Sequence, residues 1–191
     1  MGVSDNATGA DNQQERLINI GWVIGFVDGE GCFSIGFVKQ SGRGKRKGYK
    51  TGYQVSHELA VTQGEKSLST LLELQKFFGI GQVTINRRYD NHKEHLYRFV
   101  VRKREDLLKI IIPFFEQYSL KTSKNLDFKK FAACVRMIDQ GIHLTRDGLI
   151  EIAQTTQTMN RQKPRTELIR ILRDYTPDAH IPMSEDIVPA A

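Results

Sequence analysis

A change of hydrophobic period at Gly29 restricts what the first forty residues can fold into. Before it, apolar residues recur at helical spacing over residues 15–28, which predicts an amphipathic helix. After it, large apolar residues alternate with small or polar ones over residues 33–38, which predicts a strand with one buried face. Because glycines break helices and permit tight turns, we expect Gly29-Glu30-Gly31 to form a turn between the two.

The same two periods recur along the rest of the chain. They predict strands at 53–61, 82–88 and 96–102, and helices at 67–78, 104–117, 124–140, 145–158 and 164–174. Runs of antiparallel strands with segregated helices imply an α+β domain built on one four-stranded antiparallel sheet, with additional C-terminal helices. The length of 191 residues suits one compact domain. We expect a disordered tail at 1–14, a single domain at 15–175 and an irregular tail at 176–191.

Composition indicates which class of binding partner and which cellular compartment to expect. The net charge of +6 indicates a polyanionic partner, although many basic proteins simply carry a solvated basic face. Two cysteines, Cys32 and Cys134, are too few for a disulfide framework, and we expect both to be small buried residues. We find no apolar run of transmembrane length and no leader. We therefore expect no membrane association and an intracellular location, in an organelle (chloroplast or mitochondrion) or a bacterial cytoplasm.

One face of the predicted sheet is polar. Its side chains are mainly amides, hydroxyls and arginines, with Glu58 as an acid: Ser34, Gln54, Ser56, Gln82, Thr84, Asn86, Arg88 and Arg98. A solvated surface has such a composition. The same donors and acceptors read base edges in a major groove, and the scarcity of acids favours nucleic acid.

Residues 22–31 read WVIGFVDGEG and are followed by a predicted strand. The segment resembles the LAGLIDADG motif in its GxxDGEG form. The resemblance extends to about residue 158, through Ala60-Val61-Thr62-Gln63, Ile112-Pro113-Phe114-Phe115 and Leu120-Lys121-Thr122-Ser123-Lys124. It implies the LAGLIDADG endonuclease-like fold, with the element order αββαββα.

The motif contains two acids with different expected roles. Asp28 is expected to be a structural carboxylate that bonds backbone amides where the helix ends. Glu30 is expected to project from the helix, either as a solvated acid or, as the resemblance favours, as a ligand of Mg²⁺ or another divalent cation such as Mn²⁺. The resemblance adds the Gly29 carbonyl as a metal ligand. It also implies that Gln63 and Lys121, with Lys124 as the alternative lysine, act with Glu30 in catalysis by ordering solvent.

The resemblance further implies that the polar sheet face and a basic glycine-rich loop at 39–50 bind double-stranded DNA. The expected DNA-binding residues are Ser34, Gly36, Val38, Gln40, Arg43, Lys45, Arg46, Lys47, Gln54, Ser56, Glu58, Gln82, Thr84, Asn86, Arg88 and Arg98.

Small residues on the first helix predict close packing against a second helix. Gly21 and Gly25 lie four residues apart, with Gly29 next in line, so two backbones could approach closely. One motif supplies one acid, and cutting both strands needs two, so we expect a homodimer. The expected interface residues are Gly21, Ile24, Gly25 and Asp28, with Ile24 standing where the family has a small residue.

The hypothesis that follows is a site-specific homing endonuclease encoded by an intron. It would break both strands of a long, near-palindromic target by divalent-metal-dependent phosphodiester hydrolysis. An RNA-binding intron maturase of the same fold, without nuclease activity, is the alternative. A basic α+β protein of unrelated function is a third reading.

Overall fold

The computed structural model describes residues 6–39, 52–87, 95–160 and 164–174. Within them the predicted element order and the α+β class are confirmed. The strands are β1 (Gly31–Lys39), β2 (Tyr53–Gly64), β3 (Gln82–Asn86) and β4 (Leu96–Val101). The helices are α1 (Asn6–Glu30), α2 (Leu68–Phe78), α3 (Arg104–Asp106), α4 (Ile112–Gln117), α5 (Lys124–Asp139), α6 (Arg146–Gln157) and α7 (Thr166–Asp174).

Helix α1 differs from its prediction at both ends. It begins at Asn6, so residues 6–14, which were expected to be disordered, are helical. It also continues through Glu30 and passes directly into β1, so the expected turn at Gly29-Glu30-Gly31 is absent. The direct passage needs a glycine, because a Cβ on Gly31 would lie 2.6 Å from the Val27 carbonyl oxygen. The predicted C-terminal tail, 176–191, lies outside the described residues.

Helices α3 and α4 form one segment with an irregular middle. Residues 107–111 between them are π-helical. Pro113, the second residue of α4, has no N–H to donate, so the regular helical ladder cannot run through this position. The helix predicted at 104–117 is therefore present, with a local change of pitch at residues 107–111.

The four strands form one antiparallel sheet in the order β1-β2-β4-β3. Cys32 of β1 lies opposite Ala60 of β2, and Ala60 lies opposite Val100 of β4. Val100 in turn lies opposite Gln82 of β3. This row fixes which side chains share a face, and it places the start of β1 beside the end of β2.

The apolar sheet face packs on the helices and forms the core. Phe33, Leu59 and Phe99 are fully buried there. The Phe33 ring lies 5.2 Å from the ring centre of Phe128 and 5.4 Å from that of Phe131. Burial of each such side chain contributes about 2–3 kcal/mol, so this layer holds the sheet against α5.

Two burial predictions on the opposite face are wrong. Cys32 is exposed, because it lies on the polar face beside Ser34, whereas Cys134 is buried as expected. The alternation of residues 96–102 predicts that Val100 faces out together with Arg98, and Val100 does lie on the polar face, but it is only 4% exposed. In the described part of the chain, each helix is too short or too polar to cross a membrane.

Candidate active site and nucleic-acid interface

The exposed acid of the motif lies at the C-terminal end of α1. Gly29 and Glu30 are both exposed in the last turn, and a Cβ on Gly29 would meet nothing within 4 Å. Helix ends carry carbonyl groups without helical partners. The last turn of α1 therefore presents the Glu30 carboxylate and the Gly29 carbonyl oxygen side by side, which are the donor types that hard divalent cations take.

Asp28, two residues before Glu30, is buried, and both of its carboxylate oxygens accept hydrogen bonds within the chain. Its carboxylate accepts hydrogen bonds from the backbone N–H of Lys121 at 2.8 Å and of Thr122 at 3.0 Å. The Thr122 hydroxyl donates a further bond of 2.6 Å. We call Asp28, Lys121, Thr122 and Lys124 the Asp28 junction, because they tie the end of α1 to the segment that starts α5.

The junction favours the charged form of Asp28. Burial by itself would raise the pKa of this carboxyl group, but the Thr122 hydroxyl, the two backbone N–H groups and the nearby Lys124 ammonium outweigh it. The net effect is a lowered pKa. This matches the structural role expected of Asp28, and it places the Asp28 carboxylate on its own chain rather than on the open face of α1.

Lys124, and not Lys121, brings its ammonium group to the end of α1. Its Nζ donates to the Gly29 carbonyl oxygen at 3.0 Å and to that of Val27 at 3.1 Å. Burial lowers the pKa of Lys124, while the charges of Asp28 and Glu30 oppose that shift. Lys121 contributes its backbone N–H to Asp28, and its side chain is exposed.

Gln63 lies at the same end of the sheet as Glu30. Gly31, the first residue of β1, pairs with Val61, and β2 continues past this point to Gly64. Gln63 is half-buried there. Among the described residues, no cluster of three or more His, Cys, Asp or Glu could hold a metal ion.

The polar sheet face contains most of the residues expected to bind DNA. The register places these on one face: Ser34, Gly36, Val38, Gln54, Ser56, Glu58, Gln82, Thr84, Asn86 and Arg98. Gly36 is restricted, because a Cβ on it would lie 2.5 Å from the Ser56 hydroxyl oxygen. The expected loop contacts Gln40, Arg43, Lys45, Arg46 and Lys47, with Arg88, lie outside the described residues.

The open face of α1 carries the glycines of the expected interface. Gly21 and Gly25 are exposed, and a Cβ on either would meet nothing within 4 Å. Leu17 on the same helix is 57% exposed. Ile24 is partly buried against the chain's own core.

The segment after α6 contacts the outer edge of β1. No role was predicted for this segment from the sequence. Asn160 has a left-handed backbone, with φ of 51°, and its side-chain amide donates to the Phe33 carbonyl at 2.9 Å. The Arg165 guanidinium lies 5.5 Å from the centre of the Phe37 ring. These contacts bound a groove of about 610 Å³ that Cys32 and Ser34 also line. The sequence-level signal for this point is the asparagine itself, placed just after a predicted helix, because asparagine adopts a positive φ more readily than most residues.

Comparison with known proteins agrees with this arrangement. A family model described as LAGLIDADG endonuclease matches residues 23–135. This chain belongs to the LAGLIDADG endonuclease family. The match includes the end of α1, the whole sheet and most of α5, so it contains Glu30, Gln63 and both candidate lysines.

The relatives of this LAGLIDADG chain include proteins named as probable intron-encoded endonucleases and a protein of an intron that has no such name. The Neurospora crassa protein named "Probable intron-encoded endonuclease 2" is 32% identical over 138 residues, which cover 72% of this chain and 26% of that protein. A Podospora anserina protein from ND4 intron 1 is 32% identical over 127 residues, covering 65% of this chain and 25% of that protein. The chain thus spans about a quarter of the length of these curated relatives.

Solved structures of the family share the fold. The homing endonuclease I-TnaI superposes with a TM-score of 0.65 at 38% identity, covering 81% of this chain and 95% of that one. I-SmaMI bound to an uncleaved DNA target with calcium ions gives a TM-score of 0.67 at 30% identity. That alignment covers 88% of this chain and 53% of that one.

Proposed function

We propose that this chain is a site-specific, intron-encoded homing endonuclease that makes a double-strand break in a long, near-palindromic DNA target. The observation that carries the proposal is the exposed Glu30 at the end of α1, with the Lys124 ammonium on the adjacent Gly29 carbonyl and a polar sheet face beside it. The endonuclease names of its relatives and the DNA-bound state of I-SmaMI support the same reading.

Glu30 and the Gly29 carbonyl would hold Mg²⁺, or another divalent cation such as Mn²⁺. Both offer hard oxygen donors, and Mg²⁺ is commonly bound by one or two carboxylates together with phosphate oxygens. When bound, the ion would supply charge stabilisation and an activated water for phosphodiester hydrolysis. The Gly29 oxygen has two lone pairs and gives one to Lys124, so one stays open toward a ligand.

The side chains around Glu30 would order solvent and the reacting phosphate. Gln63 offers an amide donor and acceptor at this end of the sheet, and Lys124 offers a positive charge held in place by two carbonyl oxygens. Lys121, the first choice from the sequence, is held only through its backbone. We therefore assign the solvent-ordering role to Lys124 and keep Lys121→Met as the matched comparison.

A second copy of the chain would complete the site. The exposed glycines of α1 allow a second helix to approach closely, and an isologous pair would bring two Glu30 carboxylates to one axis. Analytical ultracentrifugation of the full chain, free and with duplex DNA, tests this. We expect a dimer on DNA, and a stable monomer in both conditions would contradict the homodimer.

DNA would lie across the polar sheet face, with Gln54, Ser56, Asn86 and Arg98 over base edges. The basic loop, including Arg43, Lys45, Arg46 and Lys47, would contact phosphates, so affinity should fall as salt rises. We propose that the protein is located in an organelle or in a bacterial cytoplasm. The intron-encoded relatives are consistent with this origin.

The decisive experiment compares the native chain with Glu30→Gln and with Glu151→Gln. The last variant removes one exposed carboxylate on α6, away from the candidate site, and is the matched control. The substrate is the host locus without the intron, with Mg²⁺ present. We expect Glu30→Gln to lose about a thousandfold or more in cleavage rate, since a metal contributes several kcal/mol to such a transition state.

Equal cleavage by the native chain and Glu30→Gln would remove Glu30 from catalysis. Binding of intron RNA in preference to duplex DNA, with no cleavage by the native chain, would replace the endonuclease with the maturase alternative.

A further inference from the structure

Glu58 is an acid in the middle of the polar sheet face. Its Oε1 accepts from Nη2 of Arg98 at 2.7 Å, and its Oε2 accepts from Nε of Arg102 at 2.8 Å. Among the described strand residues of this face it is the one acid. We call Glu58, Arg98 and Arg102 the Glu58 bridge, because one carboxylate joins two arginines from the neighbouring strand and its end.

The register shows how far this carboxylate reaches. Arg98 lies opposite Thr62, four residues along β2 from Glu58, and Arg102 directly follows the last residue of β4. The row between them holds Ala60 and Val100, so the contact from Arg98 to Glu58 crosses over that row. Ala60 and Val100 are 5% and 4% exposed although they lie on the polar face. Their burial fits an arginine side chain that crosses this row.

Both carboxylate oxygens of Glu58 are committed to guanidinium groups. A carboxylate that reads cytosine must present an oxygen to the base N4 group. Here each oxygen already has a charged donor within 2.8 Å, and the Glu58 side chain is 22% exposed. Glu58 therefore acts on DNA through the two arginines, in contrast to the direct contact expected from the sequence.

Each arginine has N–H donors beyond the one that it gives to Glu58. A guanidinium has five N–H groups, and each arginine has one nitrogen on Glu58. Arg98, with a side chain 28% exposed, lies close to the sheet surface, where a paired guanidinium can reach guanine O6 and N7. Arg102 is 60% exposed and extends from the strand end, which suits a phosphate.

We propose that Glu58 is a positioning residue that sets the DNA specificity of this sheet. It fixes Arg98 in one orientation for base readout, and its negative charge penalises the release of Arg98 to phosphates of arbitrary sequence. On a matched target, Arg98 binds its base while it remains on Glu58. On other DNA, Arg98 must leave the carboxylate before it can bind a phosphate, whereas Arg102 can contact a phosphate in both complexes. This inference rests on the proposed function.

The Glu58 carboxylate affects the two kinds of DNA complex differently. It orients Arg98 in the complex with the matched target, and it opposes transfer of Arg98 to phosphates in the complex with other DNA. Specificity is a difference between two affinities, and a like charge placed near the backbone weakens the wrong complex more than the right one. A held guanidinium also loses less freedom on binding than a mobile one. A merely structural ion pair at this exposure would contribute little and would leave base preference unchanged.

The experiment uses the full chain and two DNA probes. One probe is a duplex of random sequence, and the other is the duplex that the native chain enriches from a randomised library. Dissociation constants and their salt dependence are measured for the native chain, Glu58→Gln and the control Glu151→Gln, which removes the same charge from α6. Cleavage is not needed for the readout.

For Glu58→Gln we expect tighter binding of the random duplex, with a salt slope steeper by about one phosphate contact. We also expect about a tenfold loss in the ratio of the two affinities. A second library selection with this variant should show weaker guanine preference. Glu151→Gln should match the native chain in all three measurements.

Two further variants separate positioning from folding. Glu58→Asp keeps the charge but is one methylene shorter, so we expect it to lose part of the discrimination without the steeper salt slope. In an Arg98→Ala background, Glu58→Gln should no longer change base preference, because the residue that it orients is gone.

An unchanged affinity ratio and base profile in Glu58→Gln would overturn the proposal. So would the same loss in Glu151→Gln, which would make the effect one of net charge. If the native chain enriches no duplex from the library, DNA recognition itself fails, and the proposed function falls with this inference. Cleavage with an unchanged ratio would leave the endonuclease standing and remove Glu58 from specificity.

Discussion

The Asp28 junction and the Glu58 bridge both consist of a carboxylate surrounded by donors, but the donors differ in kind. Asp28 is 9% exposed and receives two backbone N–H groups and a short hydroxyl bond. Glu58 receives two long, partly exposed side chains. Backbone donors cannot move without unfolding the segment that carries them, whereas guanidinium groups can exchange one anion for another.

Under the proposed function, this contrast separates a rigid catalytic end from an adjustable recognition surface. The Asp28 junction fixes where α1 ends relative to α5, and so fixes Glu30 and Lys124. The Glu58 bridge joins partly exposed side chains, so we expect the fold to survive its opening and its free energy to be available for choosing among DNA sequences. The comparison predicts opposite responses to removal of the two charges.

The largest effect is expected for Asp28→Asn. The amide keeps one oxygen, which can accept from the Lys121 and Thr122 N–H groups, but its NH₂ group replaces the oxygen that accepts from the Thr122 hydroxyl, and the negative charge is lost. Hydrogen bonds to a charged group contribute about 1.5–3 kcal/mol each, so we expect the free energy of unfolding to fall by about 3 kcal/mol. Urea unfolding followed by circular dichroism measures it. Native-like stability in this variant would contradict the architectural role of Asp28.

The second prediction asks whether the junction also contributes to chemistry. Lys124→Met removes the ammonium group from the Gly29 carbonyl, and we expect single-turnover cleavage to slow by about 100-fold. Lys121→Met keeps the backbone bond to Asp28 and should cleave at near the native rate. DNA affinity, measured without Mg²⁺, is the control for both. The reverse ranking of the two lysines would return the solvent-ordering role to Lys121.

The fold could be predicted from the sequence because hydrophobic period is a local property. The strands, α2 and the α+β class follow from it, and Gly79 ends α2 with a left-handed φ of 67°, as glycine after a helix commonly does. The passage from α1 into β1 could not be predicted. It depends on the contact between Gly31 and Val27, in which the chain folds back on its own helix.

The site could be predicted only in part, because several of its contacts join distant residues. The motif predicted roles for Glu30 and Asp28. Which of the two lysine side chains reaches the end of α1 depends on how α5 docks on α1. The motif match alone could not distinguish Lys124 from Lys121. The Glu58 bridge depends on a diagonal across β2 and β4, and Asn160 acts on Phe33 from 127 positions away. Hydrophobic pattern and composition do not indicate such contacts between distant residues.

A smaller effect is expected from pH, and it concerns Asp28. Because the folded-state pKa of Asp28 lies below its ordinary 3.8, the unfolded state binds the proton first as acid is added. The stabilisation by Asp28 is therefore present above pH 3.8 and is lost as pH falls through the lower, folded value. The stability gap between the native chain and Asp28→Asn should narrow in that window. It should respond little to salt, since the junction is buried.

The smallest effect is expected for the stability of Glu58→Gln, and it completes the comparison. Exposed ion pairs contribute about 0–1 kcal/mol, so we expect the free energy of unfolding to change by less than about 1 kcal/mol. Added salt should reduce that change further, because screening weakens surface charge pairs more than buried ones. Urea unfolding at low and high salt measures both. A loss comparable with that of Asp28→Asn would mean that the bridge holds the sheet together, and the distinction between a carboxylate that builds the domain and one that selects its DNA would disappear.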